Sequence, residues 1–310
     1  MSQSKLPDLN GLLVIDKPAG MTSHDVVGRV RRLVGMKRVG HGGTLDPFAT
    51  GILVVAVGRA TRMLQYVQDN QKGYRAHVVL GAATDTADVD GVVTQTGERD
   101  DWPGEAEVSS VVRTFVGEIE QVPPVYSAIK VGGRKLYELA RAGEHVDVPK
   151  RTVMVYAIEV TSYGPPDLVL DIRCGKGTYV RSIARDIGEL LGTDAYCHGL
   201  RRTNSGPFCL ADAWTLDDLA AVDVREAWPQ IALHPDAALV DLPVVILGEH
   251  DQTAWYHGRS VQLSRSADRD GAVARAYGGD GRFLGIGTWT EDDALKPTLV
   301  LPLEGERDAT

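Results

Sequence analysis

The sequence predicts an α+β protein with a small β-rich C-terminal part, and three patterns indicate this. The runs Val153–Tyr163 and Leu168–Cys174 alternate in polarity on either side of a Gly-Pro-Pro turn, which is typical of a β-hairpin. Apolar residues at helical spacing in Val26–Val34 and Tyr179–Leu191 predict two amphipathic helices. From about residue 241, short strand-like runs alternate with Gly and Asp turns, which predicts a small β-rich domain.

The N-terminal part begins with a strand and a capped helix. Leu12–Ile15 is a short apolar run before the turn Asp16–Gly20, and Thr22–Asp25 offers side chains that cap a helix N-terminus. That helix is expected to end at Gly35. The run Ile52–Val57 is apolar and rich in β-branched residues, which predicts a strand buried on both faces.

The middle of the chain alternates strands, loops and a helix. A strand is predicted at Ala76–Leu80 and an amphipathic helix at Val108–Phe115. Between them, Thr84–Gly91 is rich in Asp but lacks the glutamate of a calcium loop, so we interpret it as an exposed loop or hairpin. The basic, glycine-bearing segment Val122–Lys150 is either a mobile, anion-facing insertion or an ordinary surface helix-turn. Tyr196–Arg202 is a further predicted strand.

One loop carries the best candidate for chemistry. Gly42 and Gly43 permit a tight backbone path, and Asp46 follows next to Pro47, whose φ is fixed. The strand predicted after this loop would mount the carboxylate rigidly. On these residues alone, Asp46 is equally well explained as a turn-capping aspartate, because Asp-Pro pairs are common in turns.

The formal net charge of −9 is unevenly distributed. Residues 1–75 carry 11 Lys and Arg against 5 Asp and Glu, and residues 122–210 carry 12 against 9. By contrast, residues 76–121 carry 2 against 10, and residues 211–310 carry 8 against 18. A local basic patch indicates a polyanionic partner, although a solvated charge asymmetry explains the same counts.

Composition argues against several classes of protein. No apolar run reaches the roughly 18–20 residues of a membrane-spanning helix, and no secretory signal is evident at the N-terminus. The three cysteines form no C-x-x-C pair and suit a reduced, cytoplasmic protein. The eight histidines show no metal-binding spacing, and the turn Gly175–Thr178 lacks the spacing of a phosphate loop. We therefore expect no metal and no cofactor.

Four sequence blocks occur in an order that indicates a family. They are Asp16–Ser23 (DKPAGMTS), Gly40–Gly51 (GHGGTLDPFATG), Pro124–Lys130 (PVYSAIK) and Lys176–Arg181 (KGTYVR). Over roughly residues 10–205, the chain closely resembles the bacterial tRNA pseudouridine-55 synthases, the TruB family. The remaining C-terminal residues fit the PUA-type RNA-binding domain of that family by position and strand pattern, without a motif of their own.

The resemblance implies a fold and a reaction. The expected pseudouridine-synthase domain spans 1–240, with a central mixed, largely antiparallel sheet flanked by helices and an RNA-binding insertion at about 122–150; a PUA-like domain spans 241–310. The implied enzyme is an isomerase that converts the uridine at position 55 in the T-loop of tRNA to pseudouridine. The N1–C1′ bond breaks, the base rotates, and C5 bonds to C1′ without a cofactor. A stacked loop uridine must first be flipped out.

The resemblance also implies roles for individual residues. Asp46 matches the essential aspartate, a nucleophile or general base, and Arg181 matches the arginine that pairs with it. Tyr74 matches the tyrosine that stacks on the flipped base and acts as a base late in the reaction. The positions implied to contact substrate are His41, which fills the space left by the base, Tyr179 and Leu200, which line the pocket, and the basic residues Lys17 and Lys130. The glycines before Asp46 are then interpreted as clearance for the RNA backbone.

Two other functions stay open. A non-catalytic tRNA-binding or tRNA-folding factor would use the same basic cleft. A two-carboxylate glycosidase would need a second acid near Asp46, and no other carboxylate occurs between Asp25 and Asp69. We expect a cytoplasmic monomer whose partner is the T-arm of tRNA, with no membrane and no metal partner.

Overall fold

A computed structural model describes residues 9–97, 100–126, 130–131, 133–136, 148–263 and 271–301. In these ranges the chain forms a large mixed sheet, a smaller C-terminal sheet, and helices packed on both. The fold is α+β, as the sequence predicts.

The larger sheet is built from strands of the first two thirds of the chain. They are β1 (Gly11–Lys17), β2 (Val39–His41), β3 (Thr50–Val57), β4 (Lys72–Leu80), β7 (Gly117–Gln121), β10 (Arg151–Gly164), β11 (Asp167–Cys174), β12 (Ala195–Ser205) and β13 (Phe208–Cys209). Two short hairpins lie outside it, β5 (Ala82–Thr84) with β6 (Val93–Thr96), and β8 (Lys130–Val131) with β9 (Arg134–Lys135). The helices are α1 (Ser23–Val34), α2 (Leu64–Asp69), α3 (Glu105–Arg113), α4 (Val180–Leu190), α5 (Leu216–Ala220) and α6 (Trp228–Ile231), with a 3-10 turn at Gly58–Met63.

The main path of the large sheet runs in the order β1-β3-β12-β4-β11-β10-β7. Strand β12 is parallel to β3, whereas the other neighbours along this path are antiparallel. The predicted central mixed, largely antiparallel sheet is therefore confirmed. Its two middle strands, β12 and β4, place Arg202 directly opposite Tyr74.

Strand β3 is buried on both faces, as its composition predicts. Leu53 and Val55 join the core beneath α1, whereas Ile52 and Val54 pack with Val67 of α2 on the opposite face. Close packing from both sides leaves such a strand little freedom to move. The loop that precedes β3 is consequently mounted on a rigid element.

Helix α1 has the ends that the sequence predicts. The Thr22 hydroxyl accepts a hydrogen bond from the Asp25 amide, and the Asp25 carboxylate accepts one from the Thr22 amide, so both form a capping box. Gly35 ends the helix with φ of 67°, a left-handed conformation that glycine adopts at little cost. The capping box and the terminal glycine together fix where α1 begins and ends, and so where its N-terminus lies relative to the loop of Asp46.

The smaller sheet consists of β14 (Val244–Leu247), β15 (Val261–Gln262), β16 (Val273–Gly278), β17 (Phe283–Trp289) and β18 (Ala294–Val300), in the order β14-β16-β17-β18-β15. Strands β14 to β17 lie close to the predicted ones, whereas β18 begins at Ala294 instead of the expected Leu299. The sheet also packs a helix, α7 (Glu249–Tyr256), that the sequence did not suggest. Phe283 and Leu299 of the smaller sheet pack with Met63, in the 3-10 turn that follows β3, and with Leu239 in one apolar cluster. Across the described ranges, no helix is long and apolar enough to cross a membrane.

Candidate active site

Asp46 lies on a loop that is tied down at both of its neighbours. The Ser23 hydroxyl donates to the Leu45 carbonyl at 3.1 Å and accepts from the Leu45 amide at 2.8 Å. On the other side, the Gly20 amide donates to the Pro47 carbonyl at 2.9 Å. The backbone on either side of Asp46 is thereby held against the segment that links β1 to α1. The fold therefore sets the direction of the Asp46 carboxylate.

The structure does not bring Lys17, expected near the substrate, to the cleft. Its side chain is fully buried, and its ammonium donates to the carbonyls of Pro18, Met21 and Pro47 at 2.9, 2.6 and 3.2 Å. All three donors of the ammonium are therefore used within the protein. Burial lowers the pKa of Lys17 to about 8, and the charge of Asp46 opposes that shift. We infer that Lys17 positions the loop of Asp46 through its hydrogen bond to the Pro47 carbonyl.

The glycines before Asp46 serve the protein's own packing. A Cβ on Gly42 would lie 2.3 Å from Cγ1 of Val67, so the residue must lack a side chain for the loop to pack on α2. Gly43 has φ of 128°, which few other residues adopt. At Gly42 the missing side chain gives clearance for Val67, while clearance for the RNA backbone stays a prediction.

The guanidinium of Arg181 joins two carboxylates. Its Nε lies 3.0 Å from Oδ2 of Asp46, and its Nη2 donates to Oδ1 of Asp46 at 3.3 Å. Its Nη1 donates to Oδ2 of Asp88 at 2.8 Å. Arg181 and Asp88 are buried, with 3% and 6% of their side chains exposed, whereas 34% of the Asp46 side chain is exposed. Both carboxylates line the cleft, and Asp46 is the more exposed of the two.

Asp88 was not predicted as part of the site. It belongs to the Asp-rich turn between β5 and β6, which forms the expected hairpin but turns Asp88 inward instead of exposing it. Asp88 is the second acid that a two-carboxylate glycosidase would require. Because it is buried and bonded to Arg181, it has no access to a substrate, and the arrangement does not fit that mechanism.

Burial raises the pKa of Asp46 above its usual range, and Arg181 opposes the shift. The nearby charge of Asp88 adds to the increase, while Arg202 and Lys17 lower the pKa. The carboxylate lines the cleft, with about a third of its side chain exposed. Burial therefore favours the neutral carboxyl of Asp46, and the neighbouring cations favour the carboxylate.

Tyr74 faces Asp46 from strand β4 and is controlled by Arg202. The Nε of Arg202 donates to the Tyr74 hydroxyl at 3.1 Å, and its guanidinium carbon lies 5.4 Å from the ring centroid. The remaining donors of Arg202 bind the carbonyls of Gly43, Thr44 and Ile52, on both sides of the Asp46 loop. Burial raises the pKa of Tyr74, and Arg202 opposes that shift. Since the hydroxyl oxygen accepts from Arg202, its proton can be directed to an acceptor in the cleft.

These side chains line one cleft of about 1530 Å³. Of the sequence-predicted residues, the structure brings together Asp46, Tyr74, Arg181, His41, Tyr179 and Leu200 along its walls. The Nδ1 atom of His41 is buried and has no hydrogen-bond partner among the described residues, and its ring meets that of His24 edge-on at 5.9 Å. Burial lowers the pKa of His41, and His24 and Arg202 add to the decrease.

Tyr179 is fixed through its backbone by Gln121 at the end of β7. The Gln121 amide oxygen accepts from the Tyr179 amide at 3.0 Å, and its nitrogen donates to the Tyr179 carbonyl at 3.2 Å. The backbone of Lys130 forms part of the β8/β9 hairpin, but its side chain and most of the expected insertion at 122–150 lie outside the described residues. In the part of the chain that the structure describes, no group of His, Cys, Asp and Glu is arranged to hold a metal ion.

Comparisons with known proteins agree along the chain. The family model for the N-terminal domain of the TruB family pseudouridylate synthases matches residues 31–180. The tRNA pseudouridylate synthase B C-terminal domain matches residues 181–236, and the C-terminal model of pseudouridine synthase II TruB matches residues 243–301.

Curated relatives and solved structures extend these matches over the whole chain. A tRNA pseudouridine synthase B of Pseudomonas aeruginosa is 41% identical over 94% of this chain and 96% of its own length, and one of Gloeothece citriformis is 43% identical over 94% and 95%. The crystal structure of a Cbf5-Nop10-Gar1 complex has a similar chain with TM-score 0.72 and 28% identity, covering 94% of this chain and 85% of that one. An H/ACA RNP bound to a substrate RNA containing 2′-deoxyuridine gives TM-score 0.73 and 25% identity, covering 97% and 92%.

The fold, the paired carboxylate in a basic cleft, and these similarities define the class of the protein as a pseudouridine synthase, an isomerase. The chain belongs to the TruB family and modifies tRNA. The resemblance seen in the sequence is confirmed.

Sequence reasoning did not name, as part of the site, seven charged residues that line the cleft. They are Asp69, Lys72, Asp88, Asp90, Arg151, Lys176 and Arg202. For Asp88 the available signal was the Asp-rich turn, and for Arg202 it was the Arg201-Arg202 pair at the end of a predicted strand. Each depends on long-range packing that a local pattern does not reveal.

Proposed function

We propose that this enzyme converts the uridine at position 55 in the T-loop of tRNA to pseudouridine, after flipping that base into the cleft. The observation that carries the proposal is the partly exposed Asp46 carboxylate, joined to a buried Arg181 below Tyr74. One ionised carboxylate next to a sugar and a base is what cleavage of the N1–C1′ bond requires.

Asp46 would carry the bond-breaking step. As a nucleophile it would attack C1′ and displace the base; as a general base it would remove the proton from C2′. Both routes need the carboxylate ionised, and Arg181 favours that form through its contacts at 3.0 and 3.3 Å. The buried bond between Arg181 and Asp88 keeps the guanidinium from leaving Asp46.

Tyr74 would hold the flipped base and assist the last step. Stacking of a base on an aromatic ring contributes about 1–3 kcal/mol. After the base rotates and C5 bonds to C1′, the proton on C5 must leave and N1 must gain one. The Tyr74 hydroxyl, which accepts a hydrogen bond from Arg202, would give its own proton to N1 and take up the proton that leaves C5, so the tyrosine ends the step neutral.

His41 would contact the T-arm away from the reacting atoms. His41 lies at the edge of the cleft on β2, where its ring could occupy the space that the uracil leaves. Flipping the base loosens the T-arm, so an accompanying effect on tRNA folding is compatible with the same surface. We also propose a cytoplasmic monomer with a division near residue 240 and a PUA-like RNA-binding role for residues 241–310.

The proposal is tested with a synthetic T-arm RNA that carries tritium at C5 of the position-55 uridine alone. The wild-type enzyme should release tritium to water, while Asp46→Asn should release none and still bind the RNA. Release only when the label is placed at another uridine would overturn the position. Unchanged release by Asp46→Asn would overturn the role of Asp46, and a non-catalytic tRNA-folding factor would release none while binding normally.

A further inference from the structure

Arg151 is a cation in the cleft whose Nε has no acceptor among the described residues. It is the first residue of β10 and lines the cleft, half-buried, with its guanidinium carbon 5.7 Å from the centroid of the Tyr179 ring. Its Nε atom is buried, and among the described residues no hydrogen-bond partner or carboxylate contacts it. A partly desolvated charge without a partner is costly, so an anionic partner from outside the chain is expected.

The other lysines and arginines of the cleft are already occupied by the protein. Arg181 binds Asp46 and Asp88, and Arg202 binds Tyr74 and three carbonyls. Lys72 is buried and donates to the carbonyls of Val67, Gln68 and Asn70, while Lys176 pairs with Asp69 at 2.7 Å. Within the described part of the chain, Arg151 therefore differs from every other lysine and arginine that lines the cleft.

Arg151 and Gly177 lie side by side on the wall of the cleft, whose volume of about 1530 Å³ exceeds that of a phosphate group. Gly177, with φ of 78°, turns the chain next to it, and a Cβ at that position would lie 3.6 Å from Nη1 of Arg151. Tyr179 covers one face of the guanidinium, and its backbone is fixed by Gln121, the residue opposite Arg151 in the β10–β7 register. Both the ring and the cation are thus anchored to the same end of the sheet.

We propose that Arg151 binds a phosphate of the RNA backbone next to the flipped nucleotide, forming a phosphodiester subsite at the wall of the cleft. The planar guanidinium can donate two parallel hydrogen bonds to phosphate oxygens. Because the same guanidinium lies on Tyr179, a bound phosphate would also fix the position of the pocket wall. The inference deepens the proposed function, and it rests on RNA occupying this cleft.

The first test measures how T-arm RNA binding depends on salt. Arg151→Gln and Arg151→Met remove the charge, and the second keeps an apolar stem against Tyr179. Each should weaken binding roughly 10- to 100-fold, as expected for a charge-assisted hydrogen bond, and lower the slope of log affinity against log salt by about 0.7–0.9. Arg113→Gln, an exposed arginine in the last turn of α3, is the matched control and should change neither.

A second test identifies the phosphate. T-arm RNAs with a single neutral methylphosphonate are compared, one backbone position at a time, on the wild-type protein and on both neutral variants. One position near the flipped uridine should weaken wild-type binding and have no effect on Arg151→Gln or Arg151→Met. The same set of sensitive positions in all three proteins, or an unchanged salt slope, would overturn the subsite.

The outcome is separable from that of the proposed function. If tritium is not released but one methylphosphonate position loses its effect in the variants, the phosphate subsite stands and the isomerisation at position 55 fails. If tritium is released while the variants keep the wild-type methylphosphonate pattern, the subsite fails and the reaction stands. Thermal unfolding of the variants identifies any variant that does not fold, and the remaining neutral variant then decides.

Discussion

At the level of single residues, the catalytic role proposed for Asp46 would be obtained at the expense of stability. Burial favours the neutral carboxyl, whereas Arg181, Arg202 and Lys17 favour the carboxylate. The net effect is a pKa raised above the usual value. Shifted pKa values of this kind are typical of catalytic groups, because an ionised group that its surroundings stabilise strongly has less tendency to react.

The raised pKa of Asp46 predicts two pH dependences. The carboxylate is the reactive form, so kcat/KM should fall as the pH decreases through a pKa higher than the 3.9 or so of an ordinary aspartate. Above its raised pKa, the ionised Asp46 opposes folding, so wild-type protein should gain stability relative to Asp46→Asn as the pH falls. Activity profiles and urea unfolding over a pH series measure both.

Asp25 provides a control of opposite sign for the unfolding measurement. Hydrogen bonds from Thr22 lower the pKa of Asp25, so its ionised form contributes stability that is lost as the pH falls through the lowered value. Wild-type protein should therefore lose stability relative to Asp25→Asn under the same acidification. If wild type also lost stability relative to Asp46→Asn, the pKa of Asp46 would be lowered rather than raised.

At the scale of residues, the sequence blocks predicted which side chains lie together. Asp46 and Arg181 come from two distant blocks, and the structure brings them into one cleft with Tyr74, which lies outside the four blocks. Lys17 lies in an equally recognisable block, but it is buried and does not reach the cleft. Its position was not predicted, because a motif does not show what each of its residues contacts. Asp88 and Arg202 gain their importance only from partners about 90 to 160 residues away.

At the level of elements, the active-site loop depends on contact with α2. Gly42 is the residue where this contact is tightest, because a side-chain atom there would overlap Val67. The neighbouring residue His41 projects into the cleft, so any displacement of the loop would also move a proposed RNA contact. The packing of Gly42 on α2 therefore also determines where His41, the proposed RNA contact, is held.

Replacing Gly42 by Ala should destabilise the protein and weaken its activity. The added Cβ would lie 2.3 Å from Val67, and overpacking of this kind costs about 1–3 kcal/mol in the free energy of unfolding. Gly28→Ala is the matched control, since Gly28 lies within α1 and a Cβ there meets no atom within 4 Å. It should stabilise the helix by up to about 1 kcal/mol.

Urea unfolding of both glycine variants, with tritium release measured in parallel, tests this assignment. A Gly42→Ala protein as stable as wild type would show that the loop can move away from α2 without cost. Loss of activity in Gly42→Ala at unchanged stability would instead support the interpretation of Gly42 as clearance for RNA.

Elements with strong local signals were predicted well, and the misses have physical causes. The β10–β11 hairpin has alternating polarity and a tight turn, and α1 has a capping box and a terminal glycine. Helix α7 was missed because it has little apolar periodicity and only Trp255 is buried. Residues 294–298 of β18 were missed because Pro297, which cannot donate to a neighbouring strand, lies next to an irregular register.

At the scale of the whole molecule, the basic surface continues from the cleft along α1. The N-terminus of this helix, at Ser23 and His24, lines the cleft, and its twelve residues extend about 18 Å away from it. Arg29 and Arg32 are exposed and three residues apart, so they share a face of the helix. The charge counts predicted a basic face from sequence, but its continuity with the cleft depends on the orientation of α1.

Neutralising Arg29 and Arg32 together should weaken T-arm RNA binding and flatten its salt dependence. If both contact phosphates, the slope of log affinity against log salt should fall by about 1.4–1.8, because each released counterion contributes about 0.7–0.9. Arg31 is better left in place, since its Nη2 donates to the Val39 carbonyl at 2.8 Å and its loss would disturb β2. Binding measured from low to high salt on Arg29→Gln/Arg32→Gln, with Arg113→Gln as the control, gives the slopes. An unchanged slope in the double variant would place the RNA on another face of the protein. If the double variant and Arg151→Gln are combined and their losses of affinity add, one RNA strand runs from the cleft along α1.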